Sequence, residues 1–385
     1  MALEAKLRAK EDRRPRAEER VDYPFLILVL LLLAVGLLVL YSASYAQSEY
    51  DTGYESSTRY LVKQGACAAI GLAAMFVFSR IPAGVWYRLA WPLYGASIVL
   101  LLSVLLFGQE VNGAKRWINL MGIRFQPSEV AKFTMILLFA RLTRSYGQDA
   151  KKFRYGVLGF GLALLGILVP LALEKHLSAI MLMGLVAVVM MFVAGTRPGW
   201  LVAGAAAAAL FVVVYISLMG YAGDRITAWL HPEQDPGDTG YQILQSLYAI
   251  GSGGLFGLGY GKSRQKYLYL PFQYNDYIFA ICCEELGLVG ALAIVALFSA
   301  LILRGYRIAL WARDRFSTVL ASGLITLIAV QTILNSCVVT NLLPSTGIAL
   351  PFFSYGGTAL AVNLGQMGVL LNISRYRNQR KIQEV

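Results

Sequence analysis

Apolar stretches of about twenty residues recur along the whole chain, each long enough to cross the hydrocarbon core of a bilayer as a helix. Hydrophobic residues make up 57% of the sequence and charged residues only 15%, a balance that soluble domains rarely show. The length prior for soluble domains therefore does not apply. The chain reads as one polytopic, all-α membrane domain. Ten spans are expected, at 24–42, 61–79, 88–107, 128–143, 157–174, 178–195, 200–220, 278–303, 319–340 and 356–373. An even number puts both termini on the same side.

Positive charge sets the orientation. The tail 1–22 carries seven Lys/Arg, and the segments 80–88, 141–155, 197, 304–315 and 375–381 carry two, five, one, four and four. Together they hold twenty-three of the thirty-four basic residues on one face. The positive-inside rule assigns that face to the cytoplasm. The formal net charge of +12 is then a matter of topology and of attraction to lipid headgroups. It does not point to nucleic acid, because the basic residues are spread over loops and not patterned on one folded surface. The chain divides into a cytoplasmic basic tail at 1–22, a membrane domain at 23–373 and a cytoplasmic tail at 374–385. A large extracytoplasmic loop, 221–277, separates the seventh and eighth spans. The small-residue string SASYAQ after the first span resembles a cleavage site, but nine further spans argue for an uncleaved anchor. Cys67, Cys282, Cys283 and Cys337 lie in apolar runs without metal-ligand spacing to His, and read as small buried hydrophobes.

On this orientation the outer segments 108–132, 174–178, 221–277 and 341–357 are unusually rich in polar residues and glycine. Polar groups at membrane depth are costly unless paired, so they mark function. Irregular backbone survives there only where protein or a water-filled cavity covers it. Four such segments on one face suggest a shared cavity opening outward. In the first, Gln126-Pro127-Ser128 reads as a helix start. Glu129 and Lys132 are three apart and share a helical face. They form either a neutralised ion pair or a phosphate-reading lysine oriented by its glutamate. Lys115, Arg116 and Arg124 read as interfacial anchors, and Trp117 fits an aromatic belt. In the second segment, His176 reads as a hydrogen-bonded structural residue.

The long loop carries the strongest chemical signal. Apolar residues at helical spacing near 241–250 suggest an interfacial helix. GSGGLFGLGYG follows, and Gly261-Lys262-Ser263 resembles the end of a Walker motif. Phe256 stands where the first glycine of that motif belongs, which excludes a P-loop. The glycines instead read as a way to bring backbone N–H groups close to an anion or a lipid chain. Asp276 closes the loop just before the eighth span, with Lys262, Arg264 and Lys266 upstream. A carboxylate and a cationic cluster thus meet at a bilayer surface, where a lipid-borne phosphate would sit. The fourth segment, with two prolines and three glycines, suggests a re-entrant stretch packed into protein.

The strings NGAKRWI, QPSEVAKF, GYQILQSLYAIGSGGLFGLGYGKSRQKYLYLP, NDYIFAICCEELG and LLPSTGIALPFFSYGGTAL occur in that order. With them the chain resembles the SEDS family (FtsW/RodA/SpoVE), most closely its FtsW/SpoVE branch. The resemblance implies a ten-span peptidoglycan glycosyltransferase of the bacterial cytoplasmic membrane. It would polymerise lipid II, an undecaprenyl-pyrophosphate-linked disaccharide-pentapeptide, into growing glycan strands on the outer face. It also implies a class B penicillin-binding protein as crosslinking partner, alongside other division proteins and membrane lipid. The family's essential aspartate matches Asp276, and its Glu and Lys at the start of the fourth span match Glu129 and Lys132. Two positions depart from the family pattern. Lys175-His176 stands where many members have Pro-Asp, and Phe272 replaces an acid.

On this reading Asp276 is the general base, its proton affinity raised by the apolar residues that follow it. The substrate-binding set is Glu129, Lys132, Lys262, Ser263, Arg264, Gln265, Lys266 and Ser354. The basic members would hold pyrophosphate oxygens through charge-assisted hydrogen bonds. No resident cofactor is evident; a divalent cation, Mg or Mn, would share that duty if present, although no acidic cluster encodes it. Two other readings compete. A lipid II flippase would place its charges near the midplane and show inverted repeats. A non-enzymatic division scaffold would tolerate substitution of Asp276.

Overall fold

Backbone groups in hydrocarbon must pair within the chain, and the apolar stretches do so as helices. The computed structural model describes residues 21–111, 114–120, 123–204, 206, 228–234 and 239–376. Most of the expected seventh span, the first part of the long loop and most of both tails lie outside these residues. The helices are α1 (Tyr23–Asp51), α2 (Arg59–Phe78), α3 (Ala83–Phe107), α4 (Pro127–Tyr146), α5 (Phe160–Leu173), α6 (Leu177–Val193), α7 (Thr239–Gly253), α8 (Ile278–Leu310), α9 (Arg315–Val339) and α10 (Gly357–Arg375). Nine of them fall on expected spans; α7 is the interfacial helix expected near 241–250. Among the described residues, six helices are long and apolar enough to cross a membrane: α1, α2, α3, α5 with the turn before it, α8 and α9. Leucines such as Leu106, Leu162, Leu292 and Leu303 are exposed on their outer faces. This is the build of a multi-pass helical membrane protein.

The more polar α4 is sheathed by α3, α5, α6 and α9. Its Ser128, Glu129, Lys132 and Thr134 are all buried, so its polar groups face protein and not lipid. Both ends of the described chain meet at one end of the bundle. The Asp22 N–H donates to Ser374 Oγ (3.2 Å), and Arg304 Nε donates to the Asp22 carboxylate (2.9 Å).

The opposite end holds the polar segments, and there the all-α expectation needs correction. Residues 109–125 form a small antiparallel sheet, β1 (Gln109–Val111), β2 (Ala114–Leu120) and β3 (Ile123–Phe125), in the order β1-β2-β3. Val111 pairs with Ala114 across the Asn112-Gly113 dipeptide, a strong hairpin signal in its own right. The segment 341–356 has no regular secondary structure, yet Ile348, Leu350, Phe352 and Phe353 are buried. It enters the bundle beside Gly36 of α1, where any Cβ would collide with the Phe352 carbonyl.

Helix α8 is broken at Gly287, whose φ of 67° and ψ of −168° only glycine adopts without strain. The break frees backbone groups that would otherwise lie unpaired at membrane depth. The glycine-rich loop pairs them. Leu258 and Gly259 donate to the carbonyls of Glu284 and Glu285 (3.0 Å each), while Leu288 and Val289 donate to the carbonyls of Gly254 and Leu255 (2.9 and 3.1 Å). The glycines of GSGGLFGLGYG therefore bring the loop backbone against a broken helix. A Cβ at Gly257 would collide with the Glu285 carbonyl and with the Gly287 nitrogen. We expect Gly257→Val to abolish the yield of monodisperse protein in detergent. Gly251→Ala, in open space on α7, should leave yield and melting temperature unchanged; equal behaviour of the two variants would contradict the seam.

Candidate active site

Asp276 lies two residues before α8, partly exposed, at the polar end of the bundle. The helix N-cap is Tyr277, so the carboxylate stands outside the capping position. Its backbone is pinned by the buried Asn335 of α9, whose Nδ2 donates to the carbonyls of Asp276 (2.6 Å) and Ile348 (2.8 Å). One side-chain amide thereby fixes the start of α8 and the segment 341–356 to each other. Gly347, in the left-handed region at φ 68°, lies against the carboxylate; a Cβ there would stand 3.5 Å from Asp276 Oδ2. The Tyr355 N–H donates to the Tyr274 carbonyl (2.9 Å). The rings of Tyr60, Tyr274 and Tyr355 pack together with centroids 4.6 to 5.9 Å apart.

The other polar segments join this assembly. The Ser178 hydroxyl donates to the Thr346 carbonyl, which ties the turn 174–176 to the residue preceding Gly347. Arg116 of β2 donates to the Lys175 carbonyl (2.6 Å), so it braces the turn instead of serving as a free interfacial anchor. The Thr358 hydroxyl at the start of α10 donates to the Arg124 carbonyl of β3 (3.0 Å). At the start of α4, Lys132 Nζ sits 2.7 and 2.8 Å from the two Glu129 oxygens, both side chains buried. The positive charges of Lys132 and Arg116 act on His176, which brings the ion pair, the sheet and the turn within electrostatic reach of one another. The sheet, the turn, the end of the long loop and the segment 341–356 thus converge.

Glu174 and His176 are buried, and Glu174 Oε1 and His176 Nδ1 have no hydrogen-bond partner. The Nδ1 of His176 therefore lacks the partner expected of a hydrogen-bonded histidine. Both lie between α5 and α6, outside the helices. Burial pushes the Glu174 carboxyl up to about 8, with the Arg116 charge opposing. Burial, helped by Arg116 and Lys132, holds the His176 imidazole down to about 3. Both side chains are thus held neutral at neutral pH beside two cations.

The basic loop divides. Lys262 and Arg264 are exposed. Ser263, Gln265 and Lys266 have protein partners where substrate contacts were expected. The Ser263 hydroxyl and the N–H groups of Arg264 and Gln265 donate to the Glu284 carboxylate. Lys266 Nζ, 3% exposed, bonds Gly261 O (2.6 Å), Ser42 Oγ (3.2 Å) and Glu285 Oε1 (3.3 Å). Ser354 Oγ accepts the Leu350 N–H (2.8 Å) inside its own turn. Among the described residues no group of three or more His, Cys, Asp or Glu could hold a metal ion. Asn335 and the three tyrosines escaped the sequence reading. A polar Asn within the apolar run of α9 was the available signal; the tyrosine cluster joins three distant segments and left none.

The neutral Glu174 and His176 make stability pH-dependent in opposite senses. A raised carboxyl contributes stability present below its unfolded value of 4.5 and lost as pH rises through about 8. A depressed imidazole contributes stability present above 6.5 and lost as pH falls toward about 3. The melting temperature in detergent should fall on both sides. Glu174→Gln should flatten the alkaline fall and His176→Gln the acid one; profiles unchanged by either substitution would contradict these environments.

Residues 23–379 match the family of cell cycle proteins FtsW, RodA and SpoVE. The probable peptidoglycan glycosyltransferase FtsW of Geobacter sulfurreducens is 40% identical over 361 residues, covering 92% of this chain and 95% of the relative. Stage V sporulation protein E of Bacillus subtilis is 40% identical over 359 residues, covering 92% and 97%. Among solved structures, a chain of a peptidoglycan synthase complex that coordinates polymerization and crosslinking superposes with a TM-score of 0.79 at 29% identity, covering 93% of this chain and 99% of that one. The rod shape determining protein RodA of Thermus thermophilus superposes with a TM-score of 0.69 at 28% identity, covering 93% and 98%. With its matching motifs in order and its fold shared across nearly the full length, this chain belongs to the FtsW/RodA/SpoVE family.

Proposed function

We propose that this protein is a peptidoglycan glycosyltransferase that polymerises lipid II at the outer face of a bacterial cytoplasmic membrane, with Asp276 as general base. The observation that carries this reading is the partly exposed Asp276 at the end of the bundle where the polar segments converge. The names of the FtsW and SpoVE relatives support the activity. Asp276 takes the proton of the acceptor hydroxyl, and the acceptor oxygen forms its bond to the anomeric carbon. The bond from that carbon to the pyrophosphate oxygen breaks, and undecaprenyl pyrophosphate departs. A single displacement inverts the anomeric carbon. The departing charge is met by the exposed Lys262 and Arg264, while Lys132 stays in its buried pair with Glu129. No resident cofactor is part of the proposal; a divalent cation, Mg or Mn, would arrive with the pyrophosphate.

The proposed topology has ten spans in the membrane domain 23–373, the large loop 221–277 outside between the seventh and eighth spans, and both tails in the cytoplasm. It rests on the distribution of Lys and Arg and on the meeting of Asp22 with Ser374. The proposed partner is a class B penicillin-binding protein, which crosslinks the strands; the likeness to a synthase complex supports it. The setting is cell division or sporulation, together with other division proteins. Purified protein supplied with lipid II, with and without its penicillin-binding partner, should yield glycan chains, and Asp276→Asn should yield none while folding normally. Near-normal polymer from that variant would refute the base assignment. In liposomes loaded with lipid II on one leaflet, movement without polymer would favour a flippase.

A further inference from the structure

We infer that Lys266 is a positioning residue: paired with Glu285 and Ser42, it clamps the outer loop to the first piece of α8 and so sets where Asp276 stands. This inference rests on Asp276 being the base. It departs from the expectation that every lysine of the GKSRQK string reads phosphate.

The first piece of α8, 278–286, is short and ends at the Gly287 break. A helix fragment of this length has no stability of its own, so its position depends on what grips it. Two adjacent buried acids supply the grip. Glu284 (1% exposed) accepts from the Ser263 hydroxyl and from the N–H groups of Arg264 (2.9 Å) and Gln265 (3.4 Å). Glu285 (3% exposed) accepts from Ser42 Oγ (2.6 Å), the Ser263 N–H (3.2 Å) and Lys266 Nζ (3.3 Å). Ser42 belongs to α1, so this one carboxylate joins a third element to the loop and to α8.

Lys266 reaches Asp276 by a second route. Its carbonyl accepts from Nε2 of Gln273 (3.3 Å), itself 1% exposed and three residues before Asp276. Lys266 therefore holds the chain on both sides of the aspartate: the residues leading into it through Gln273, and the helix leading out of it through Glu285. Its ammonium already has three partners and is 3% exposed. A buried cation so engaged has no donor to spare for a pyrophosphate without breaking the pair, and breaking one partner of a buried ion pair is strongly destabilising. Lys262 and Arg264, exposed on the same loop, have no such constraint.

The two roles separate in kinetics. A phosphate ligand that binds ground state and transition state alike acts on KM, whereas a misplaced base acts on kcat. With purified full-length protein and lipid II, Lys266→Met and Glu285→Gln should each lower kcat about tenfold or more, the scale of a small misplacement of a catalytic group, with KM unchanged. The double variant Lys266→Met/Glu285→Gln replaces the buried pair by neutral groups and should recover kcat to within about threefold of wild type, since such replacement is often neutral. Ser42→Ala, a mild change remote in sequence, should lower kcat a few-fold at constant KM, and it keeps the inference testable if the single charge variants fail to fold. A raised KM in Lys266→Met that the second substitution does not relieve would overturn the inference and return Lys266 to the phosphate ligands. So would an unchanged kcat in Ser42→Ala. Asp276→Asn run alongside separates the two claims: activity in that variant refutes the base, whatever the Lys266 series does.

Discussion

The structure depends on a seam of backbone hydrogen bonds across the break in α8. A membrane helix cannot be interrupted for free, because each unpaired N–H or C=O in hydrocarbon costs several kcal/mol. Here the carbonyls of Glu284 and Glu285 and the N–H groups of Leu288 and Val289 are met by loop residues 254–259. Only glycine tolerates the approach at Gly257 and the dihedrals at Gly287. Once the seam forms, the side chains of Glu284 and Glu285 are buried beside the next stretch of loop and capture it. The position of Asp276 follows from that capture and from the hold of Asn335.

The same economy governs the rest of the polar end. Each segment there is held in place by partners from other segments. The sheet is fixed by Thr358 of α10, the turn 174–176 by Arg116 and Ser178, and the segment 341–356 by Asn335 and by the space at Gly36. Each contact joins residues far apart in sequence. A site for a lipid-linked sugar diphosphate needs cations beside a base at a membrane surface, and it needs them held without hydrocarbon-exposed polar backbone. The neutral Glu174 and His176 show the cost of that crowding: burial leaves Glu174 uncharged against the pull of Arg116, and burial with the charges of Arg116 and Lys132 leaves His176 uncharged.

Much of this was legible in the sequence. Runs of apolar residues located nine helices, because a bilayer crossing needs about twenty apolar residues in a row. The ends were harder: α1 continues to Asp51, well past the expected 42, because its polar outer turns stay helical against protein. The sheet was missed although Asn112-Gly113 announced it, since the strands on either side are short and carry charged residues and an aromatic that also suit a membrane interface. Asp276 stood out by its place before an apolar run. Lys266 did not separate from Lys262 and Arg264, because nothing local reveals that a loop lysine will meet Glu285, Ser42 and Gln273. That knowledge lives in tertiary contacts across 19, 224 and 7 residues.

The most direct measurement is the side of the membrane, and the accessibility, of position 276. In a chain freed of Cys67, Cys282, Cys283 and Cys337 and carrying Asp276→Cys, a membrane-impermeant thiol reagent applied to intact cells should label the protein as fully as after permeabilisation. Labelling only after permeabilisation, or none at all in either condition, would place position 276 on the wrong face or seal it from every groove, and would contradict a base working on lipid-linked sugars outside.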